Sequence, residues 1–422
     1  MQWQRRYTLV AMCALATFIC YIDRVNISVA IIPMAEEFGW DQSTRGLILS
    51  SFFVGYLLTQ IAGGWLSDRF GGKAVLGFGV VFWSAFTLIT PAAAFAGLTL
   101  LLLSRVGMGL GEAVTFPSIY SLFGRWMPVA ERTRAIGLNA SAIPLGTVFA
   151  LLLTPVIVLS LGWEWVFYLF GAVGIIWYFF WQRLVTTKPE DHPQITAEEL
   201  AHIYPSGVTT SSASADTQPP KIRAMLGSTA VWAIIVSHFC SNWGGYVLLS
   251  WLPTYFTESL GVDFAAVGLA TMTPSIAAFI FLNVAGWITD KMIAAKRLRL
   301  ITIRKLMQTI GFGGSALVLA FVGYIESVVL AIILMSLGNM IGAFAMGGWG
   351  SNHMDIAPKH AGTLMGLTNT AGTLPGVIGV FVSGLILEWT GSWVLVFQVA
   401  AAINIFGLVF YLIFARSEPE FE

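Results

Sequence analysis

The chain has 422 residues, 57% hydrophobic and only 10% charged, with a mean hydropathy of +0.78 and a formal net charge of zero. Ordinary soluble domains are about 25% charged, so the composition excludes a soluble globular protein, and zero net charge gives no support for a nucleic-acid partner. An all-α, multi-pass protein in a lipid bilayer is expected.

A spanning helix needs roughly 20 apolar residues. The first apolar run follows Arg5-Arg6 and continues to Ile32 without a small-residue cleavage pattern, so it reads as a permanent span rather than a leader. Asp23 and Arg24 lie deep inside it. A second span ends in Gly63-Gly-Trp-Leu-Ser-Asp-Arg-Phe-Gly-Gly-Lys73. Residues 74–104 are too many for one helix, and Pro91-Ala-Ala-Ala is expected to divide them. The stretch 98–117 then carries Arg105 and Glu112 about two helical turns apart, hence on one face. Each charge costs at least about 2.5–3.5 kcal/mol in hydrocarbon, so such residues face a polar cavity or a partner. Charge-free stretches at 135–163, 224–257, 264–289, 327–354, 361–387 and 389–415 bring the expected total to about twelve spans.

With the N-terminus inside, all but three of the 22 Lys and Arg fall on the inner side. The exceptions are Arg45, outside, and the intramembrane Arg24 and Arg105. The outer loops carry Glu36, Glu37, Asp41, Glu164, Glu258, Asp263, Glu326 and Glu388. This positive-inside asymmetry predicts cytoplasmic termini. A polar segment rich in Pro, Ser and Thr divides the chain into an N-terminal six-helix bundle (1–185), a cytoplasmic linker (186–223) and a C-terminal six-helix bundle (224–422). Within the linker, Thr196-Ala-Glu-Glu199 reads as a capping box opening a short surface helix.

The halves repeat. Gly64-Trp-Leu-Ser-Asp-Arg69 recurs as Gly286-Trp-Ile-Thr-Asp-Lys291, and Ile136-Gly-Leu-Asn139 is echoed by Met365-Gly-Leu-Thr-Asn369. Six spans, a linker and six related spans make the parallel repeat of the major facilitator fold, with its substrate site near mid-membrane. The three cysteines, Cys13, Cys20 and Cys240, sit inside apolar runs and read as core residues. There is no metal-ligand spacing, phosphate loop or nucleophile elbow, so no catalytic residue, metal or cofactor is expected and the protein does not read as an enzyme.

The loop 63–73 resembles the major facilitator signature, in which Asp68 would form a latch that breaks when the inner gate opens; Arg69 and the echo Asp290 are expected to share that gating role. A closer resemblance is to the anion:cation symporter family, which holds bacterial sugar-acid/proton symporters, sialin and the vesicular glutamate transporters. It rests on Tyr21-Ile-Asp-Arg-Val-Asn26, Ser51-Phe-Phe-Val-Gly-Tyr-Leu-Leu-Thr-Gln-Ile61, Arg105-x-x-x-Gly-x-Gly-Glu112, Trp251-Leu-Pro-Thr-Tyr255 and Ser351-Asn-His-Met-Asp-Ile-Ala-Pro358, followed by Ala361-Gly-Thr-Leu-Met-Gly-Leu-Thr-Asn-Thr370.

The resemblance implies that Arg24 binds the substrate carboxylate, for which a permanently charged planar fork is suited. Asp23 and Glu112 match the acids that the family protonates; an Asp23–Arg105 ion pair is the structural alternative, and Glu112, after Gly109 and Gly111, is expected to have room to move. Tyr56, Tyr246, Trp349 and Asn369 would complete the site. Asn352, His353 and Asp355 read as gate or loop residues, with no evident partner for His353. The vesicular glutamate transporters differ where Ser241 and Leu49 stand here, so the sugar-acid branch fits better. The expected function is proton-coupled uptake of a small carboxylate (hexonate, hexarate or hexuronate) by a monomer in a bacterial inner membrane, with protons the coupling ion. An anion exchanger or exporter on the same fold and a non-transporting sensor are the alternatives.

Overall fold

The computed structural model describes residues 4–204, 222–358 and 361–421, the side chains at 61, 68, 129, 130, 132, 133, 361 and 362 excepted. The described chain is helical, with no strand among the described residues. Among the described residues, ten helical stretches are long and apolar enough to cross a membrane. Two further helices, Gln42–Phe70 and Thr229–Thr254, have the length, 29 and 26 residues. Large apolar side chains such as Leu58, Phe78, Leu317 and Ile413 stand exposed, which suits lipid and would be a liability in water.

Packing divides the chain into two compact units, one of residues 1–26, 51–150 and 157–218 and the other of 27–50, 151–156 and 219–422. The helices of the first part of the chain are α1 (Arg5–Phe38), α2 (Gln42–Phe70), α3 (Gly72–Ala96), α4 (Leu98–Glu112), α5 (Thr115–Trp126), α6 (Val129–Leu161), α7 (Trp163–Leu184) and α8 (Ala197–Ile203). In the first unit α3 packs on α4, α5 and α7. The second part continues with α9 (Ile222–Leu226), α10 (Thr229–Thr254), α11 (Val267–Ala294), α12 (Leu300–Gln308), α13 (Gly314–Val322), α14 (Val328–Gly342), α15 (Ser351–Ile356), α16 (Ala361–Thr390) and α17 (Trp393–Phe414). Here α10 packs on α16 and α17, and α11 on α14.

One helix end falls away from the proline expected to set it, and a second lies just before a proline. α3 runs through Pro91 and ends at Gly97, whose φ of 129° suits a residue without Cβ; Thr90 Oγ1 donates to the Phe86 carbonyl just before the proline. The 98–117 stretch is broken directly after Glu112, at Ala113–Val114. Pro117 explains it, because it has no N–H to offer the carbonyl four residues back. Three π-helical turns interrupt the second unit, at Tyr255–Ser259, Thr309–Gly313 and Met346–Gly350.

The surface helix expected in the linker is α8, and its cap forms: Thr196 Oγ1 accepts from the Glu199 N–H at 3.1 Å. The Glu199 carboxylate, however, reaches to α1, accepting the Arg5 and Arg6 backbone N–H groups at 3.0 Å each. It thereby satisfies two donors left open at that helix's N-terminus.

Candidate functional site

The first unit holds a buried charge cluster that α1, α2, α3 and α4 build together. Two glycines set its dimensions. A Cβ at Gly109 would stand 2.1 Å from the Phe52 carbonyl oxygen, and one at Gly55 would stand 2.0 Å from that of Val106. Only bare backbone allows α4 this close to α2. Gly109 therefore removes room rather than supplying it, and Glu112 is held rather than loose.

Arg24 donates from Nη2 and Nε to Glu112 Oε2, at 2.9 and 3.1 Å, and the Cys20 thiol donates to the same oxygen at 3.2 Å. The guanidinium is enclosed by the rings of Tyr21, Phe52 and Tyr56, 4.7, 5.0 and 4.8 Å from their centroids, a cation–π setting that favours a desolvated cation. Glu112 is fully buried and its Oε1 has no partner among the described residues.

Asp23 and Arg105 make no ion pair with each other. Asp23 Oδ2 accepts the indole N–H of Trp83 at 3.1 Å, and Oδ1 has no partner among the described residues. Arg105 donates to Met108 Sδ at 3.0 Å, lies 5.5 Å from the Phe52 ring, and leaves Nε unpaired among the described residues. Two acids and two cations are thus buried together, with one contact pair and several open polar atoms. In a low-dielectric interior that is expensive unless other groups complete it.

In the second unit the predicted residues are Tyr246, half-buried on α10, Trp349, buried in the π-turn, and Asn369, half-buried on α16. The Trp349 backbone N–H is held by Gln308 Oε1 at 3.3 Å, while its indole N–H has no acceptor among the described residues. Its ring packs on His238 at 4.4 Å. His238 and Thr368 carried no signal in the sequence, since they meet only in the fold. His353 is no loop residue: it is buried and bonded to Thr368 and Gly350. Asn352 donates to Tyr411, and Asp355 takes a two-pronged pair from Arg304 at 2.8 and 3.0 Å.

Of the expected gating residues, the side chain of Asp68 lies outside the described residues. Arg69 is exposed and stacks over Trp65 and Phe70, at 5.0 and 5.5 Å. Asp290 is exposed, and its neighbour Lys291 lies 3.6 Å from the Trp287 ring centroid, repeating the Arg69–Trp65 arrangement. The turn between α2 and α3 is made at Gly71, with φ of 86°. No cluster of metal-ligating side chains exists among the described residues.

Comparison with known proteins places this architecture. A plant chloroplast protein from Oryza sativa subsp. japonica described as probable anion transporter 4 is 43% identical over 100% of this chain and 70% of its own length. The ascorbate transporter of Arabidopsis thaliana chloroplasts is 42% identical over 99% of this chain and 76% of its own. Human sialin is 35% identical over 98% and 90%. Among solved structures, an inward-facing, occupied bacterial homologue of the human lysosomal transporter Spinster superposes with a TM-score of 0.78 at 16% identity, covering 99% of this chain and 98% of that one. The inward-open xylose transporter XylE from E. coli gives 0.78 at 15%, covering 97% and 96%. These last two share the fold. The Major Facilitator Superfamily model itself matches residues 13–380, and with these relatives the chain belongs to that superfamily, in the branch that holds sialin and the plant chloroplast anion transporters.

Proposed function

We propose that the protein is a proton-coupled symporter that takes up a small organic anion, a hexonate, hexarate or hexuronate, by alternating access. The carrying observation is Arg24 seated with both donors on one oxygen of Glu112 inside an aromatic enclosure. A substrate carboxylate offers the guanidinium a better, two-oxygen match. Protonation of Glu112 weakens its hold and frees Arg24 for that substrate, so proton and anion favour the same state. Asp23, with one open oxygen, is proposed as the second proton site. Tyr56, Tyr246, Trp349 and Asn369 are proposed as further substrate contacts, with Arg105, Asp68, Arg69 and Asp290 acting in the ion pairing and gating that rock two six-helix halves.

The named cargo of the Arabidopsis relative, ascorbate, is an anion, which supports an anion here. The protein is proposed to work as a monomer in a bacterial inner membrane, both termini cytoplasmic, needing no cofactor beyond the proton. Uptake of labelled sugar acids into proteoliposomes tests this, with an inward proton gradient, an inward sodium gradient or neither. Proton-driven accumulation abolished by Arg24→Ala is expected. Gradient-indifferent flux that needs anion on the far side would make the protein an exchanger, and sodium-driven accumulation would replace the proton as coupling ion.

A further inference from the structure

The second unit buries a pair of histidines that the charge cluster of Arg24 and Glu112 does not use. His238 on α10 and His353 on α15 meet on one hydroxyl, Thr368 Oγ1 on α16: His238 Nδ1 at 3.2 Å and His353 Nε2 at 2.8 Å. All three are buried. The other nitrogen of His353, Nδ1, lies 3.0 Å from the Gly350 carbonyl oxygen. A carbonyl only accepts, so Nδ1 carries the proton and Nε2 of the neutral ring is an acceptor. Thr368 must therefore donate to His353, which leaves its oxygen to accept from His238 Nδ1–H. The tautomers are fixed along the line, and the bare nitrogen left over is His238 Nε2. It faces Gly372, where a Cβ would stand 2.8 Å away. Beside it is the indole of Trp349, with a buried N–H that no described residue accepts.

We infer that His238, Thr368 and His353 form a proton relay that leads from the face of Trp349 to the end of α15. A proton arriving at His238 Nε2 makes an imidazolium. The Nδ1 proton then passes to Thr368 Oγ1 as the hydroxyl's own proton passes to His353 Nε2. One proton enters at His238, one appears on His353, and no other bond changes. The receiving state is satisfied as well, because the Met365 carbonyl lies 3.2 Å from the same hydroxyl. The groups that face the line are Trp349 from the π-turn and Gly372 from α16. Among the described residues no carboxylate is hydrogen-bonded to either ring, and Asp355, two residues from His353, is committed to Arg304. With no carboxylate to trap it and like charges repelling, the pair carries one proton at a time.

This inference rests on the proton-coupled reading, and the test separates the two. Wild type, His238→Asn, His353→Asn, Thr368→Val and Thr368→Ser are compared in proteoliposomes for gradient-driven accumulation and for anion counterflow, which needs no net proton movement. Loss of accumulation with counterflow kept is expected in the first three variants, with recovery in Thr368→Ser. Accumulation at wild-type level in Thr368→Val and His238→Asn would overturn the relay while leaving symport standing. Failure of wild type to couple to protons would instead strike the functional reading. In that event nitrogen NMR of the five histidines decides the relay. A neutral His353 protonated at Nδ1, whose Nε2 signal shifts in Thr368→Val, supports it, and an Nε2-protonated His353 overturns it.

Discussion

Arg24 directs Nε and Nη2 onto a single oxygen of Glu112 and leaves the other oxygen, Oε1, without a partner among the described residues. A carboxylate and an arginine that are both buried normally pair through both oxygens when the geometry is free to do so. Here the helix positions, fixed by the contact of Gly109 with Phe52, hold them in a one-sided grip. In the proposed cycle this grip is exchanged for the substrate carboxylate.

Glu112→Gln removes the charge and keeps the shape. On the proposed cycle the expected outcome is loss of gradient-driven accumulation with exchange retained, since Arg24 would stay available to substrate. Full accumulation by this variant would show that protons enter elsewhere. Arg24→Lys keeps the charge and loses the fork. Losing a charge-assisted hydrogen bond costs roughly 1.5–3 kcal/mol, so half-saturation for counterflow should rise about ten- to a hundredfold.

The partnership of these residues shows what sequence can and cannot carry. That Arg24, Asp23, Arg105 and Glu112 are intramembrane charges follows from where they fall in apolar runs, the spans follow from hydropathy and loop charge, and the two-fold repeat follows from recurring segments such as 64–69 and 286–291. Which acid meets which cation does not follow. Periodicity assigns a residue to a face of its own helix, but the depth at which a neighbouring helix lies depends on contacts such as Gly55 on Val106. So Asp23 meets the Trp83 indole rather than Arg105, and Glu112 is gripped. The His238–Thr368–His353 line is hidden for the same reason: three helices supply one side chain each, and His238 stands 130 residues from Thr368.

Gly109→Ala should therefore be costly beyond helix propensity, because the new Cβ would meet backbone, which cannot rotate away. Overpacking of this kind costs about 1–3 kcal/mol. The control is Gly137→Ala on α6, where nothing lies within 4 Å of the new Cβ and the change should stabilise by about 0.5–1 kcal/mol. Thermal unfolding of the detergent-solubilised variants checks both, and equal midpoints would contradict the close-approach account.

Arg304 binds Asp355 through two nitrogens and gives a third bond to the Gly347 carbonyl at 2.9 Å, so it ties α12 to α15 and to the π-turn carrying Trp349. Removing one member of a buried pair strands the other, at about 3–5 kcal/mol. Arg304→Met and Asp355→Leu should each lower the unfolding midpoint sharply, and the double variant should be less destabilised than either single one. Additive losses in the double variant would mean that the two residues do not act as a pair.

The last device is near the start of α1, where the Arg6 guanidinium donates to both oxygens of Glu131, at 2.8 and 3.1 Å, and His202 of α8 lies 3.1 Å from the same carboxylate. With Glu199 capping α1, these contacts fasten α8 to the first unit. The Arg6 hydrogen bonds hold the Glu131 carboxyl below its ordinary range, against the opposing effect of partial burial. A folded-state value below the unfolded one means that the folded protein binds this proton less readily. The stabilisation is then fully present above the unfolded value of about 4.3, and it is lost as pH falls through the folded value. The unfolding midpoint of wild type minus that of Glu131→Gln should accordingly be positive and flat from neutral pH down to the ordinary carboxylate range, then shrink toward zero in stronger acid. A difference that grew on acidification would reverse the sign and remove Glu131 from this clamp.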